Sequence, residues 1–132
     1  MFPSLAHESW KDCPAFQGNI LPNVLRNLIK GTFEPSPARK IFTPFMMRVE
    51  DIRVVMVGMS PYNTYDNNGQ SYANGQAFAC AQSDMTFEQY PPSLKLICDA
   101  VCKTEQDYDS FDHRLYRWRE QGILLLNAAL LS

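Results

Sequence analysis

The feature that most constrains this chain is the run Ile52 to Met59, Ile-Arg-Val-Val-Met-Val-Gly-Met, in which all but one position is non-polar and four are β-branched. A strand with one face in water alternates apolar and polar residues. An unbroken run of this kind instead predicts a strand buried on both faces of a parallel sheet. A second such run, Ile123 to Leu131, closes the chain. Parallel strands need a crossover, and Ser93 to Lys103 supplies one. It follows Pro91-Pro92, carries Leu94, Ile97, Ala100 and Val101 at helical spacing, and offers Ser93 as the expected N-cap. Asp112 to Gln121, with Leu115 and Trp118 inward and Gly122 as its stop, predicts a further helix. The expected fold class is therefore α/β, a strand–helix–strand unit on a parallel sheet.

Upstream, Asn19 to Lys30 places Ile20, Val24, Leu25, Leu28 and Ile29 at helical spacing before Gly31, which predicts an N-terminal helix. Residues 32–50 are broken by Glu34-Pro35-Ser36-Pro37 and by Pro44, so they should cross the surface in turns and short pieces anchored by Phe42, Phe45 and Met46. At 132 residues and 45% hydrophobic content, the chain has the size of one ordinary domain with a core. Residues 1–132 are read as a single unit. No apolar run approaches the roughly 18 residues that span a bilayer, and the start Met1-Phe2-Pro3-Ser4 has no basic stretch leading into an apolar one. Cys13, Cys80, Cys98 and Cys102 form no C-x-x-C pair and are read as free, mostly buried thiols. This fits a reducing intracellular compartment, cytoplasm or nucleus.

A formal charge of −2 argues against binding nucleic acid through a broad basic face. Residues 1–53 hold seven Lys/Arg against five Asp/Glu, and residues 54–132 hold five against nine, so any contact with DNA must be local. The acidic run Glu105 to Asp112 lacks the glycine turn of a calcium loop and is expected to be a solvated loop, not a metal site. The candidate site is the polar stretch 60–76, rich in Asn, Gly, Ser and Tyr, because open α/β sheets bind ligands beyond the carboxyl ends of their strands.

Four ordered blocks make this assignment more specific. They are Val54-Val55-Met56-Val57-Gly58-Met59-Ser60-Pro61-Tyr62-Asn63, Gln76-Ala77-Phe78-Ala79-Cys80, Pro91-Pro92-Ser93-Leu94-Lys95, and Trp118 to Asn127 ending Gln-Gly-Ile-Leu-Leu-Leu-Asn. In this order and spacing the chain resembles the family-1 uracil-DNA glycosylases, which share Gly-Gln-Asp-Pro-Tyr-His, Ala-Phe-Ser, Pro-Pro-Ser-Leu and Gln-Gly-Val-Leu-Leu-Leu-Asn. The resemblance implies that fold, seen here as its first half. It implies a base pocket in which Phe78 stacks on an extruded uracil, Asn127 reads the base edge and Tyr62 excludes the methyl of thymine, with Met59 and Asn63 beside them. It further implies that Pro92 and Ser93 press on the DNA backbone. No cofactor or metal is implied.

The departures carry as much weight. Where the family has Gln-Asp, this chain has Met59-Ser60, so Ser60 stands at the position of the water-activating aspartate. A neutral hydroxyl with no adjacent base accepts a proton poorly near pH 7 and offers no full charge to a developing cation. Asn63 replaces the motif's histidine, and the loop between Tyr62 and Phe78 is longer than the family's. Asp66 is the acid in that loop that could substitute as a base, a role this reading does not favour. The family's His-Pro-Ser-Pro segment and DNA-intercalating residue have no counterpart here, and His7 and His113 match no catalytic position. The expectation is therefore a piece of a longer protein, or a chain completed by a partner, with Leu124 to Leu131 as the sheet edge needing cover.

Three functions remain open at this point. The favoured one is a catalytically impaired or inactive glycosylase relative that keeps a base pocket or partner-binding surface, within a viral or multi-subunit assembly. The second is a piece of an active DNA-repair glycosylase hydrolysing the uracil N-glycosidic bond. The third is a shared α/β scaffold that binds some other ligand.

Overall fold

Two parallel strands form the sheet, β1 (Val54–Gly58) and β2 (Ile123–Asn127), in register from Val54 beside Ile123 to Gly58 beside Asn127. The computed structural model describes residues 6–18, 23, 26, 34–35 and 38–132. The crossover between the strands runs through α1 (Pro92–Val101), α2 (Glu105–Ser110) and α3 (Tyr116–Glu120). No described helix is long and apolar enough to cross a membrane.

β2 is the buried strand, and its alternation explains the layering. Successive strand side chains point to opposite faces. Leu125 enters a core of Ala77, Ala79, Cys80, Tyr90, Leu94, Cys98, Cys102 and Leu115, while Leu126 packs with Leu130 and Leu131 on a second core of Phe16, Ile41, Phe42 and Phe45. Leu94, Leu115 and Leu125 are fully buried, each contributing roughly 1.5–3 kcal/mol of transfer free energy. The outer side of β2 is also met, because Ala77 donates its N–H to the Leu125 carbonyl at 3.2 Å.

The expectation that Ile52 to Met59 is buried on both faces is therefore wrong. Val54, Val55 and Val57 stand 51%, 51% and 61% exposed, and Met59 85%. Only Met56 packs on the first core and only Gly58 is buried. Among the described residues β2 is the only strand beside it. The apolar strand left exposed is thus β1, not Leu124 to Leu131: β2 ends at Asn127, after which the chain bends and tucks Leu130 and Leu131 under the second core.

Several local expectations change for identifiable reasons. Residues 38–46 are a nine-residue 3₁₀ helix containing Pro44, not a set of turns. It buries Ile41, Phe42 and Phe45 but leaves Met46 54% exposed, and Met47 takes the inward place. The crossover helix begins at Pro92 with Pro91 as N-cap, so Ser93 is its second residue. Its buried positions are Leu94 and Cys98, four apart, while Ala100 and Val101 face outward. The acidic run forms α2 because Thr104 and Asp107 make a reciprocal capping box: the Asp107 N–H donates to Thr104 Oγ1 at 3.2 Å, and the Thr104 N–H donates to Asp107 Oδ2 at 2.9 Å. α3 starts only at Tyr116, because Asp112 holds the preceding turn by accepting from the Arg114 and Arg117 N–H groups at 3.2 and 2.9 Å, with Leu115 at φ 56°. The helix expected over residues 19–30 lies largely outside the described residues, of which 23 and 26 are helical.

Three cysteines, Cys80, Cys98 and Cys102, are buried and Cys13 is half-buried, all as free thiols. Cys98 and Cys102 place their sulfurs 3.6 Å apart. Burial pushes the Cys80 thiol up to about 12, and burial together with the Cys102 contact does the same for Cys98.

Candidate functional site

The parallel register sets Gly58 and Asn127 side by side at the carboxyl ends of the two strands. A Cβ placed on Gly58 would lie 2.6 Å from Asn127 Oδ1, 3.0 Å from Ala77 Cβ and 3.4 Å from Phe78 Cζ. Glycine is therefore what lets the Asn127 amide and the Phe78 ring converge over the strand end. Asn127 is 5% exposed, and its side-chain amide makes no hydrogen bond within the described residues. The buried side-chain polar atom without a partner among the described residues is Gln82 Oε1; the Asn127 amide keeps contact with solvent at the end of the sheet, so its donor and acceptor are accessible there.

Phe78 holds φ 67°, the left-handed region that bulky residues rarely adopt. Such a conformation costs on the order of 1–3 kcal/mol and persists where surrounding structure imposes it. Tyr62 is part of that surrounding. Its hydroxyl donates to the Phe78 carbonyl at 2.9 Å, clamping the residue that carries the ring. Burial, and secondarily the neighbouring Cys80 thiol, raise the Tyr62 phenol well above its ordinary value, so it is a donor at any working pH. Tyr62, Phe78 and Asn127 are thus brought together, with Gly58 between the last two.

The other expected residues are placed differently. Met59, Ser60 and Asn63 are exposed at the start of the loop, and Ser60 makes no side-chain hydrogen bond within the described residues. Pro92 and Ser93 are exposed in the first turn of α1. Asp66 is committed to its own turn. Its Oδ1 accepts from the Asn68 and Gln70 N–H groups at 2.8 and 2.9 Å, and its Oδ2 from Gln82 Nε2 at 3.4 Å. The Gln70 backbone bond, ahead of those from Asn68 and Gln82, holds its carboxyl below the usual range. A carboxylate stabilised in this way is a weak base and a structural cap.

The loop is anchored by a residue that the sequence reading passed over. Glu34 is 3% exposed and accepts from Ser71 Oγ at 2.6 Å and from the Tyr65 hydroxyl. Its backbone exchanges hydrogen bonds with Ser132 at 2.9 and 3.1 Å, and Ser132 Oγ donates to the Pro61 carbonyl at 3.0 Å. Glu34 therefore ties the site loop to the residues that follow β2. Gly58 was likewise passed over as a functional position, although a glycine ending an otherwise apolar strand was a visible signal.

Comparison with known proteins finds relatives of one kind. No family model matches the chain. Two bacterial uracil-DNA glycosylases align over most of it: that of Borrelia hermsii is 32% identical over 133 residues, covering 93% of this chain and 55% of the relative, and that of Pseudoalteromonas translucida is 30% identical over 118 residues, covering 88% and 50%. The chain is homologous to the uracil-DNA glycosylases. The enzyme of equine herpesvirus 1 is 41% identical over 85 residues, 61% of this chain and 23% of the relative. Among solved structures, mimivirus uracil-DNA glycosylase superposes with a TM-score of 0.71 at 20% identity, covering 97% of this chain and 48% of its own. A UNG from Nitratifractor salsuginis gives 0.57 at 18% identity, covering 96% and 60%. This chain thus shares its fold with about half of the mimivirus enzyme, and it spans about half the length of the bacterial relatives it matches.

Proposed function

We propose that this chain is the base-recognition half of a uracil-DNA glycosylase fold, binding an extruded uracil in single-stranded DNA while hydrolysing its glycosidic bond poorly or not at all. The observation that carries this reading is the convergence of the Asn127 amide and the Phe78 ring beside Gly58 at the strand end. An extruded pyrimidine needs an aromatic face and a paired donor and acceptor, which Phe78 and Asn127 supply. Tyr62 closes the third side and holds Phe78 in place. Pro92 and Ser93, exposed in the first turn of α1, meet the phosphates flanking the flipped base.

Ser60 supports the loss of hydrolysis. Losing a general base alone removes a factor of about 10²–10⁴, and Asp66 is bound into its turn and unavailable as a replacement. Met59 and Asn63 complete the rim of the same pocket. A partner or further segment that covers the sheet belongs to this reading, as does an intracellular setting in cytoplasm or nucleus.

Fluorescence anisotropy with single-stranded oligonucleotides containing one uracil or one thymine, paired with alkaline gel analysis, tests this. The expected result is a preference for uracil of at least about tenfold, lost in Asn127→Ala, with no alkali-labile site formed. Abasic-site formation that Asn127→Ala abolishes would establish the active-enzyme reading instead. Equal binding of uracil and thymine would sink the base pocket.

A further inference from the structure

The site at the strand ends leaves unused a groove within the crossover, between residues 83–90 and residues 99–113. Its volume of about 810 Å³ falls in the range of roughly 300–1,000 Å³ typical of ligand sites. Four rings line it. Phe87 meets Tyr90 and Tyr108 edge to face, with ring centroids 5.9 and 5.2 Å apart, and Tyr90 meets Phe111 at 6.0 Å. Tyr90 is buried, while Phe87, Tyr108 and Phe111 are half-buried, so the cluster keeps ring surface open to the groove. Ring faces attract cations, and the Lys95 ammonium, from outside the groove, already stands 5.9 Å from the Phe87 centroid.

The charges beside these rings point the same way. Asp84, Glu88, Asp99, Glu105 and Asp109 bring five carboxylates to the groove, all exposed and none in an ion pair among the described residues. Against them stands one ammonium, Lys103, whose Nζ is spent on the Ala100 carbonyl at 3.2 Å. Asp99 Oδ1 accepts from the Tyr108 hydroxyl at 2.7 Å, which joins the acids to the ring cluster. The excess of carboxylates is local, since the whole chain carries only −2, and it repels phosphate. A guanidinium suits both parts of the groove, because it stacks flat on aromatic rings and pairs with carboxylates. The acids come from three separate segments of chain, so several cations are accommodated, which a linear peptide supplies and a single amine does not. We propose that this groove is a docking site for a short arginine-bearing peptide segment of a protein partner, with guanidinium groups stacked on the Phe87 and Tyr108 rings and paired with the surrounding carboxylates. The proposal needs neither the base pocket nor a glycosidic bond.

The test is fluorescence anisotropy on the full 132-residue chain with a fluorescein-labelled octapeptide of alternating arginine and serine, beside a matched peptide carrying glutamate in place of arginine. The arginine peptide binds and the glutamate peptide does not. Combining Glu88→Gln with Asp109→Asn should weaken binding at least about fivefold, and Tyr108→Leu should do the same with the charges left in place. Lys103→Gln separates this from damage to the fold: it removes the lone cation from an exposed position and should tighten binding about threefold, a gain that no unfolded variant gives. Glu120→Gln, at an exposed acid outside the groove, leaves binding unchanged. No binding of the arginine peptide, an equal loss in Glu120→Gln, or an affinity indifferent to Lys103→Gln would each overturn the proposal. So would spermine that displaces the labelled peptide as well as unlabelled peptide does at equal charge, which would make the groove a site for small polycations.

Discussion

Replacing Gly58 by alanine tests the site with a single methyl group. The added carbon would sit 2.6 Å from Asn127 Oδ1, closer than side-chain carbons approach their neighbours, with tight contacts of 3.0 Å to Ala77 Cβ and 3.4 Å to Phe78 Cζ. None of the three neighbours yields freely. Ala77 is fully buried, Asn127 is 5% exposed at the end of the buried strand β2, and Phe78 already holds a strained backbone. Overpacking of this kind costs about 1–3 kcal/mol. A loss of about 2 kcal/mol lowers the melting temperature of a domain this size by roughly 8 °C. The larger consequence falls on binding. If the methyl displaces the Asn127 amide, two hydrogen bonds to a base edge are lost, each worth about 0.5–1.5 kcal/mol, or tenfold to hundredfold in affinity together. Calorimetry reads the first effect and anisotropy with the uracil oligonucleotide the second. Adding Asn127→Ala removes the colliding oxygen, so the stability penalty of Gly58→Ala should shrink by about 1 kcal/mol or more in the double variant. A Gly58→Ala protein that melts within about 1 °C of the parent and binds the oligonucleotide unchanged would refute the convergence of these residues.

The remaining predictions use the same measurements. Tyr62→Phe keeps the ring but removes the 2.9 Å bond to the Phe78 carbonyl, so it should cost about 1 kcal/mol of stability and loosen uracil binding several-fold, as titrated by anisotropy. Asp66 has its carboxyl depressed in the folded protein, so its contribution is present above the unfolded carboxylate value near 3.8 and is lost as pH falls through the lower folded value. Asp66→Asn should therefore flatten the acid limb of a pH–melting profile, and an unchanged limb would show that the turn bonds are not what stabilises the loop. Near pH 8, a thiol reagent should label Cys13 first, while buried Cys80 and Cys98, with thiols pushed up to about 12, react only on unfolding.

The sequence by itself determined a great deal here, because the chemistry of recognition lies in short, ordered blocks. The strand ending in Gly58, the Gln76 to Cys80 segment and the strand ending in Asn127 were legible as parts of one site through their resemblance to a known family, block by block. The parallel α/β class followed from two apolar runs and a helical crossover. Local chemistry that sequence rules can express, such as the Thr104 and Asp107 capping box, was present but outweighed by the run of charges around it. What only the tertiary structure decided was placement. The same apolar pattern describes both strands, yet β2 is enclosed and β1 is bare, because burial depends on which neighbours arrive from distant parts of the chain. Asp66 caps a turn through Asn68 and Gln70, two and four residues on, which its Asp-Asn-Asn-Gly pattern could have signalled, whereas nothing local distinguishes Glu34, buried beneath the loop through Ser71 and Ser132, from an ordinary surface acid. A side chain's role is set by the partners that long-range folding delivers to it, and those partners lie too far apart in sequence for any local pattern to record.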